Sequence, residues 1–204
     1  MTFYRDQLLP HLIDLAMRNR ELVAYRRRLI AQAEGRVLEI GIGSGLNLPF
    51  YGSHVQEVLG LEPAPKLLAM CRRASVQLPL PVTLIQGSAE DIPLDSESVD
   101  TVVTAWTLCS IPSVTRALSE ARRVLRPSGR MLFVEHGLSP DAAVRRWQDR
   151  LTPIWKRISG GCHLNRAIDT LIGSAGFQIE RLETGYMKGP KPMAFLYEGS
   201  ARPR

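Results

Sequence analysis

Three glycines at alternate positions, Gly41, Gly43 and Gly45, follow directly on the apolar run Val37-Leu38-Glu39-Ile40. Glycine has no Cβ and tolerates positive φ, so such a loop turns sharply out of a strand and lets backbone N–H groups approach a ligand. Leu46 to Phe50, next in the chain, can open a helix whose positive N-terminal end would face that ligand. An acid, Glu62, stands 21 residues beyond Gly41, at the end of a second apolar run, Glu57 to Leu61. A carboxylate at that distance, closing the second strand of an α/β unit, is placed to hold a ribose diol. The pattern departs from G-x-G-x-x-G, because its third glycine comes one residue early. It also carries Glu39 inside the first strand, where a dinucleotide site needs nothing acidic.

Other reactive side chains are spread along the chain. His136 ends the run Met131-Leu132-Phe133-Val134-Glu135, and an imidazole at a strand end can take a proton from a nucleophile near neutral pH. The alternative for His136 is a plain hydrogen-bonded role. The three cysteines, Cys71, Cys109 and Cys162, are odd in number and widely spaced, which argues against a disulfide scaffold and a Cys-based zinc site. Cys162 and His163 alone are too few to hold a metal, and no metal is expected. Cys109 reads as a small buried hydrophobe or a pocket wall.

These groups need elements to place them. Apolar residues recur at helical spacing over residues 5 to 32, with Pro10 restarting the first turns. The arginines there, Arg26 to Arg28 among them, read as solvated. Further strands are expected at Val82 to Gln86, Ser98 to Ala105 and Met131 to Val134, with helices at Lys66 to Ser75 and Ala117 to Leu125. Ligands in open α/β sheets sit beyond the carboxyl ends of the strands. Trp106, Leu108 and Cys109, after the fourth strand, are therefore candidate pocket walls. Pro140 to Ala142 opens a helix carrying Trp147 and Trp155, and Cys162 to Arg166 starts another running to Ala175. These two segments, with Tyr4 near the N-terminus, are expected to cap the site. Two terminal strands, Gly176 to Glu183 and Ala194 to Gly199, suit an antiparallel hairpin, and Ser200 to Arg204 should fray.

With 204 residues, 45% of them hydrophobic and 23% charged, the chain should form one domain with a sizeable core. It has neither a run of ~18 apolar residues nor a signal-peptide pattern, so the cytoplasm is the expected place. A net charge of +6 permits contact with nucleic acid or anionic lipid. No aromatic-basic RNA motif accompanies it, and no nucleic-acid partner is expected.

The stretch Val37 to Gly45 resembles motif I of the class I S-adenosylmethionine (SAM) methyltransferases, (V/I)-L-E-(I/L)-G-x-G-x-G, with Glu62 as that family's second acidic motif. Gly87-Ser88-Ala89-Glu90 resembles the segment that lies against the adenine, and Leu125 to Gly129 resembles L-(R/K)-P-G-G. Within the class, the type 11 branch is most similar. Its small-thiol S-methyltransferases show V-L-E-I-G-x-G-x-G-x-N-x-x-F-Y, L-C-S, E-H and G-C-x-L-x-R, found here at Val37–Tyr51, Leu108–Ser110, Glu135-His136 and Gly161–Arg166. Bacterial phosphatidylethanolamine N-methyltransferases share the glycine stretch and Lys188 to Pro192.

The resemblance implies a Rossmann-like, seven-stranded, mostly parallel α/β sheet with a terminal antiparallel hairpin, over residues 35–204, and an N-terminal helical lid over 1–34. It implies SAM held by Glu39, Gly41, Gly43, Gly45, Asn47, Glu62, Pro63, Ser88, Ala89, Glu90 and Thr104, with S-adenosylhomocysteine as product. The acceptor it implies is a small-molecule thiol, walled by Tyr4, Trp106, Leu108, Cys109, Trp147, Trp155 and Cys162, with His136 or His163 as base. N-methylation of phosphatidylethanolamine, or methylation of another small molecule at O, C or N, is the alternative reaction, and a SAM-binding partner protein without catalysis is the alternative that is not an enzyme. No hydrophobic N-terminal anchor like that of the membrane-bound thiol enzymes is expected, and peripheral membrane contact through the basic N-terminal helix is left open, as is the oligomeric state.

Overall fold

The computed structural model describes residues 3–204. Met1 and Thr2, the first residues of the expected lid, lie outside the described residues. A single sheet of seven strands runs through the domain: β1 (Gly35–Ile40), β2 (Val55–Glu62), β3 (Val82–Gln86), β4 (Val99–Ala105), β5 (Leu125–His136), β6 (Phe177–Tyr186) and β7 (Phe195–Pro203). Their order is β3-β2-β1-β4-β5-β7-β6, parallel from β3 to β5. β7 lies antiparallel between β5 and β6. Strands β1 and β4 are buried over most of their length because both faces of a parallel sheet are covered. The strand order reverses between β1 and β4, which opens a crevice beyond their carboxyl ends.

Helices α1 (Leu9–Met17) and α2 (Arg20–Ile30) follow a short π-helical turn, Tyr4–Leu8. Pro10 sits in the first turn of α1, where a missing N–H is harmless. The Asn19 side chain caps α2 by accepting from Glu21 N at 3.1 Å. Leu22, Arg26, Leu29 and Ile30 form the buried stripe of α2, so Arg26 is buried rather than solvated. Leu29 and Ile30 join Val37, Leu48, Val58 and Val103 in the core on one face of the sheet, together with α3 (Pro65–Ser75). The other face is covered by α4 (Val114–Val124) and α6 (Ile168–Ser174) through Leu118, Ala121, Ile168 and Ile172. Helix α5 (Ala142–Ile158), capped by Asp141, and the short α7 (Lys191–Ala194) complete the fold. No helix among the described residues is long and apolar enough to cross a membrane.

Three further expectations fail. The glycine loop runs into a three-residue 3-10 turn, Leu48–Phe50, instead of a helix, because Asn47 and Tyr51 turn back to bond Glu39. The helix after Cys162 begins only at Ile168, since 162–166 is held in a turn by Arg166 and His163. The tail is not frayed. Ser200 and Ala201 pair with Leu132 and Met131, Pro203 lies opposite Phe177, and Arg204 N donates to Gly176 O at 2.9 Å.

Candidate active site

The carboxyl ends of β1, β2 and β4 border a cavity of about 340 Å³, and helix α1 closes its outer side. From the sheet come Glu39, Gly41, Gly43, Asn47, Glu62, Pro63, Ser88, Ala89 and Trp106, all predicted from sequence. Leu9, Pro10, Ile13, Asp14 and Met17 of α1 face them, and Ser159 and Gly160 close one corner.

The glycines divide by role. Gly41 has φ +70°, and a Cβ there would overlap Thr107. Gly43, at φ +58°, has nothing nearer to such a Cβ than the Gly41 carbonyl at 3.9 Å, because it faces the open cavity. Gly45 serves packing instead, its missing Cβ leaving room for Leu48 and Cys71.

Glu62 accepts from Gly43 N at 3.2 Å and Ala64 N at 3.0 Å. Burial pushes its carboxyl up against these two donors, which favour the charged form. Each oxygen retains a lone pair for a hydroxyl donor on the cavity side. Glu39 lies deeper. It accepts from Asn47 Nδ2 at 2.7 Å and the Tyr51 hydroxyl at 2.8 Å, and Arg26 donates to Asn47 Oδ1 at 2.6 Å. Burial lifts the Glu39 carboxyl to about 7, opposed by those bonds and by Arg26.

Arg26 also joins α1 to the sheet. It donates to Met17 O at 3.1 Å, and its guanidinium carbon stands 4.9 Å from the Trp106 ring centroid. Trp106 holds φ +53°, an unusual conformation for a bulky residue, just where the chain leaves β4 for the cavity. Asp14 adds a second tie, accepting from Ser44 of the glycine loop at 2.5 Å and from Arg18 at 2.8 Å. Sequence reading missed Asp14, Arg26 and Tyr51 as site residues.

Several predicted residues stand elsewhere. Glu90 accepts from Ser113 N at 2.5 Å and from the Ser88 hydroxyl at 3.0 Å, which bridges two loops. Thr104 is buried within β4 and is not on the cavity wall. Tyr4 donates to Ile158 O at 2.6 Å, pinning the N-terminal turn to the end of α5. Trp147 is 55% exposed beside Arg150, and Trp155 does not reach the cavity. Leu108, Cys109 and Cys162 are buried behind the wall. Among the described residues, no histidine lines the cavity. His136 Nε2 lies 3.0 Å from Cys162 Sγ, and His163 Nδ1 lies 3.2 Å from Cys109 O. The geometry therefore gathers most of the expected cofactor residues around one cavity, without Gly45, Glu90 and Thr104 and without the expected bases.

These residues fit SAM. The loop leaves space at Gly43, Glu62 presents a carboxylate, and Leu61, Ala89 and Ile111 supply apolar walls for a base.

Known proteins agree. Residues 38–133 match a family described as a methyltransferase domain. The chain is 31% identical over 193 residues to thiol S-methyltransferase TMT1B of Homo sapiens, covering 89% of this chain and 77% of that protein. It is 38% identical over 116 residues to phosphatidylethanolamine N-methyltransferase of Cereibacter sphaeroides, covering 54% of this chain and 57% of that one. Among solved structures, a SAM-dependent methyltransferase from Mesorhizobium loti superposes with a TM-score of 0.67 at 20% identity, over 89% of this chain and 97% of that one. By these likenesses the chain belongs to the SAM-dependent methyltransferases.

Proposed function

We propose that the chain transfers the methyl group of SAM to a small-molecule thiol. The carrying observation is the likeness to TMT1B, which extends over 89% of the chain, well beyond the cofactor-binding half. When bound, SAM supplies a methyl carbon made electrophilic by its sulfonium. Direct displacement at that carbon requires no protein nucleophile, in keeping with a cavity wall that carries no cysteine among the described residues. A thiol ionises near pH ~8.5, so positioning in a water-poor pocket does most of the work. Ile13, Met17, Trp106, Ile111 and Pro112 make the cavity largely apolar and suit a small acceptor.

In this reading residues 1–34 act as a lid on the 35–204 domain. Arg26 and Asp14 tie it to the cofactor loop. Gly41, Gly43, Asn47, Glu62, Pro63, Ser88 and Ala89 hold SAM, with Glu39 fixing the loop from beneath. A second reading, N-methylation of phosphatidylethanolamine, draws on the Cereibacter likeness and on the arginine-rich N-terminal helices.

Release of S-adenosylhomocysteine separates the two readings when SAM is offered with a panel of small thiols or with phosphatidylethanolamine vesicles. Turnover with thiols alone is the expected result. Turnover with vesicles alone would overturn the thiol assignment and make the basic helices the docking face.

A further inference from the structure

Behind the cavity wall lies a group of side chains that methyl transfer, as described so far, does not use. Cys109 follows β4, His136 ends β5 and Cys162 follows α5. The two sulfurs and a His136 ring nitrogen all lie within 4.8 Å of one another. Both thiols are buried, and His136 Nε2 is 3.0 Å from Cys162 Sγ. Hydrogen bonds link the group internally, but they leave one buried nitrogen unmet and hold Cys109 only weakly. The Cys109 sulfur is 3.7 Å from Trp106 O and 3.4 Å from Ser110 Oγ, both weak contacts, and buried His136 Nδ1 has no partner.

The backbone around the group is firmly held. His163 N donates to Cys109 O at 2.8 Å. Arg166 donates to Leu108 O and Ile111 O, bracketing Cys109 on both sides. Gly137 N, beside His136, donates to Phe195 O at 3.0 Å. Three chain segments far apart in sequence are thereby fixed so that their ligand atoms converge.

We infer that Cys109, His136 and Cys162 form a binding site for a divalent cation of the zinc class. Two sulfurs and an imidazole nitrogen are the donor set such a cation prefers, and three protein ligands leave one tetrahedral position open. Two thiolates, a neutral imidazole and a dication sum to zero charge, which lessens the penalty of burial. With metal–sulfur bonds of ~2.3 Å and metal–nitrogen bonds of ~2.0 Å, tetrahedral ligand atoms stand roughly 3.5 Å apart. The His136–Cys162 contact therefore has to open by only about half an ångström. The sequence spacing argued against a Cys-based zinc site because it shows no paired ligands. The fold supplies the pairing.

The location assigns the ion a task, which rests on the thiol reading above. Ser110, in contact with the Cys109 sulfur, lines the cavity, as do Thr107 and Ile111 on either side of it. With Ser110 as the wall between group and cavity, an ion there would take the acceptor sulfur as thiolate, its proton released to solvent, only where its open position turns toward Ser110. That sulfur's lone pair forms the new S–CH3 bond as the sulfonium S–CH3 bond breaks. The products are a neutral thioether and S-adenosylhomocysteine, and a thioether is a weaker ligand that departs.

The test begins with the full chain, stripped by chelator, desalted and titrated with Co²⁺ and then Zn²⁺. One equivalent of Co²⁺ should give thiolate-to-cobalt absorption that Zn²⁺ abolishes. Cys109→Ser, Cys162→Ser and His136→Ala should each weaken binding by more than the roughly 10–100-fold that loss of a supporting contact gives. Cys71→Ser, remote from the group, should leave it unchanged. Absence of the absorption in the wild-type protein, which needs no variant to fold, overturns the site. So does stoichiometric binding that survives both Cys109→Ser and Cys162→Ser. Adding a small thiol to the cobalt form should shift the spectrum, and an unshifted spectrum overturns the assigned task. Failure of the metal-loaded enzyme to methylate thiols would instead refute the acceptor assignment, leaving the cation site in place.

Discussion

Glu39→Gln isolates the electrostatics of the cofactor loop. The Glu39 carboxyl is 2% exposed and titrates at about 7 in the fold against an ordinary value of 4.5. The folded protein therefore binds one more proton than the unfolded chain between those two values. Stability from this group is fully present below pH ~4.5 and is lost as pH rises toward 7, because unfolding then releases a carboxylate to water. At about 1.36 kcal/mol per pH unit, the loss over the window approaches about 3 kcal/mol. For a chain of this length that is a fall in Tm of roughly 6–12 °C. Glutamine keeps the Asn47 bond and can reorient toward the Tyr51 hydroxyl, but it does not titrate. Glu135, a second buried carboxyl raised by desolvation, leaves part of the slope in the variant. The assay is the melting temperature of cofactor-free wild type and Glu39→Gln at half-unit steps from pH 4.5 to 8. The variant should gain on the wild type as pH rises. Parallel curves would refute the claim that Glu39 is the desolvated group.

Gly41→Ala forces a left-handed backbone on alanine, at about 1–2 kcal/mol, and pushes Cβ into Thr107. Calorimetric SAM binding should fall with the melting temperature. Glu62→Ala removes the carboxylate proposed to hold the ribose and releases Gly43 and Ala64, and SAM affinity should drop roughly 10–100-fold, at about 1.5–3 kcal/mol per charged hydrogen bond. Arg26→Ala leaves Glu39 without its cation and α1 without its tie to Trp106, so SAM KM should rise and amide exchange in α1 should quicken. Trp147→Ala, on an exposed face, should leave KM unchanged and stability within about 0.5 kcal/mol by thermal melting.

The sheet was legible in sequence because its central strands are short apolar runs that end at glycine loops or acids, and those signals are local. The same holds for Gly41, Gly43 and Glu62, whose spacing along two adjacent strands translates directly into a shared crevice. Arg26 was misread although the signal was present. It recurs with Leu22, Leu29 and Ile30 at helical spacing, and a charge on that stripe has to be buried. The missing helix after Gly45 was harder, since it depends on Asn47 and Tyr51 finding Glu39. Cys109, His136 and Cys162 were each visible singly, but their meeting is set by how the ends of two strands and one helix come together. The tail looked frayed because its pairing partners lie in β5 and β6, far back in the chain.

The wall that α1 lends to the cavity has a kinetic corollary. Asp14 and Arg26 fasten that helix to the glycine loop and to Trp106, across the donor pocket. On the lid reading, spent donor leaves past the helix by which fresh donor enters, and turnover is then no faster than α1 opens. With chemistry quicker than that opening, a first-turnover burst of product should precede a slower steady state, and weakening the Asp14–Ser44 bond should raise the steady rate while leaving the burst unchanged.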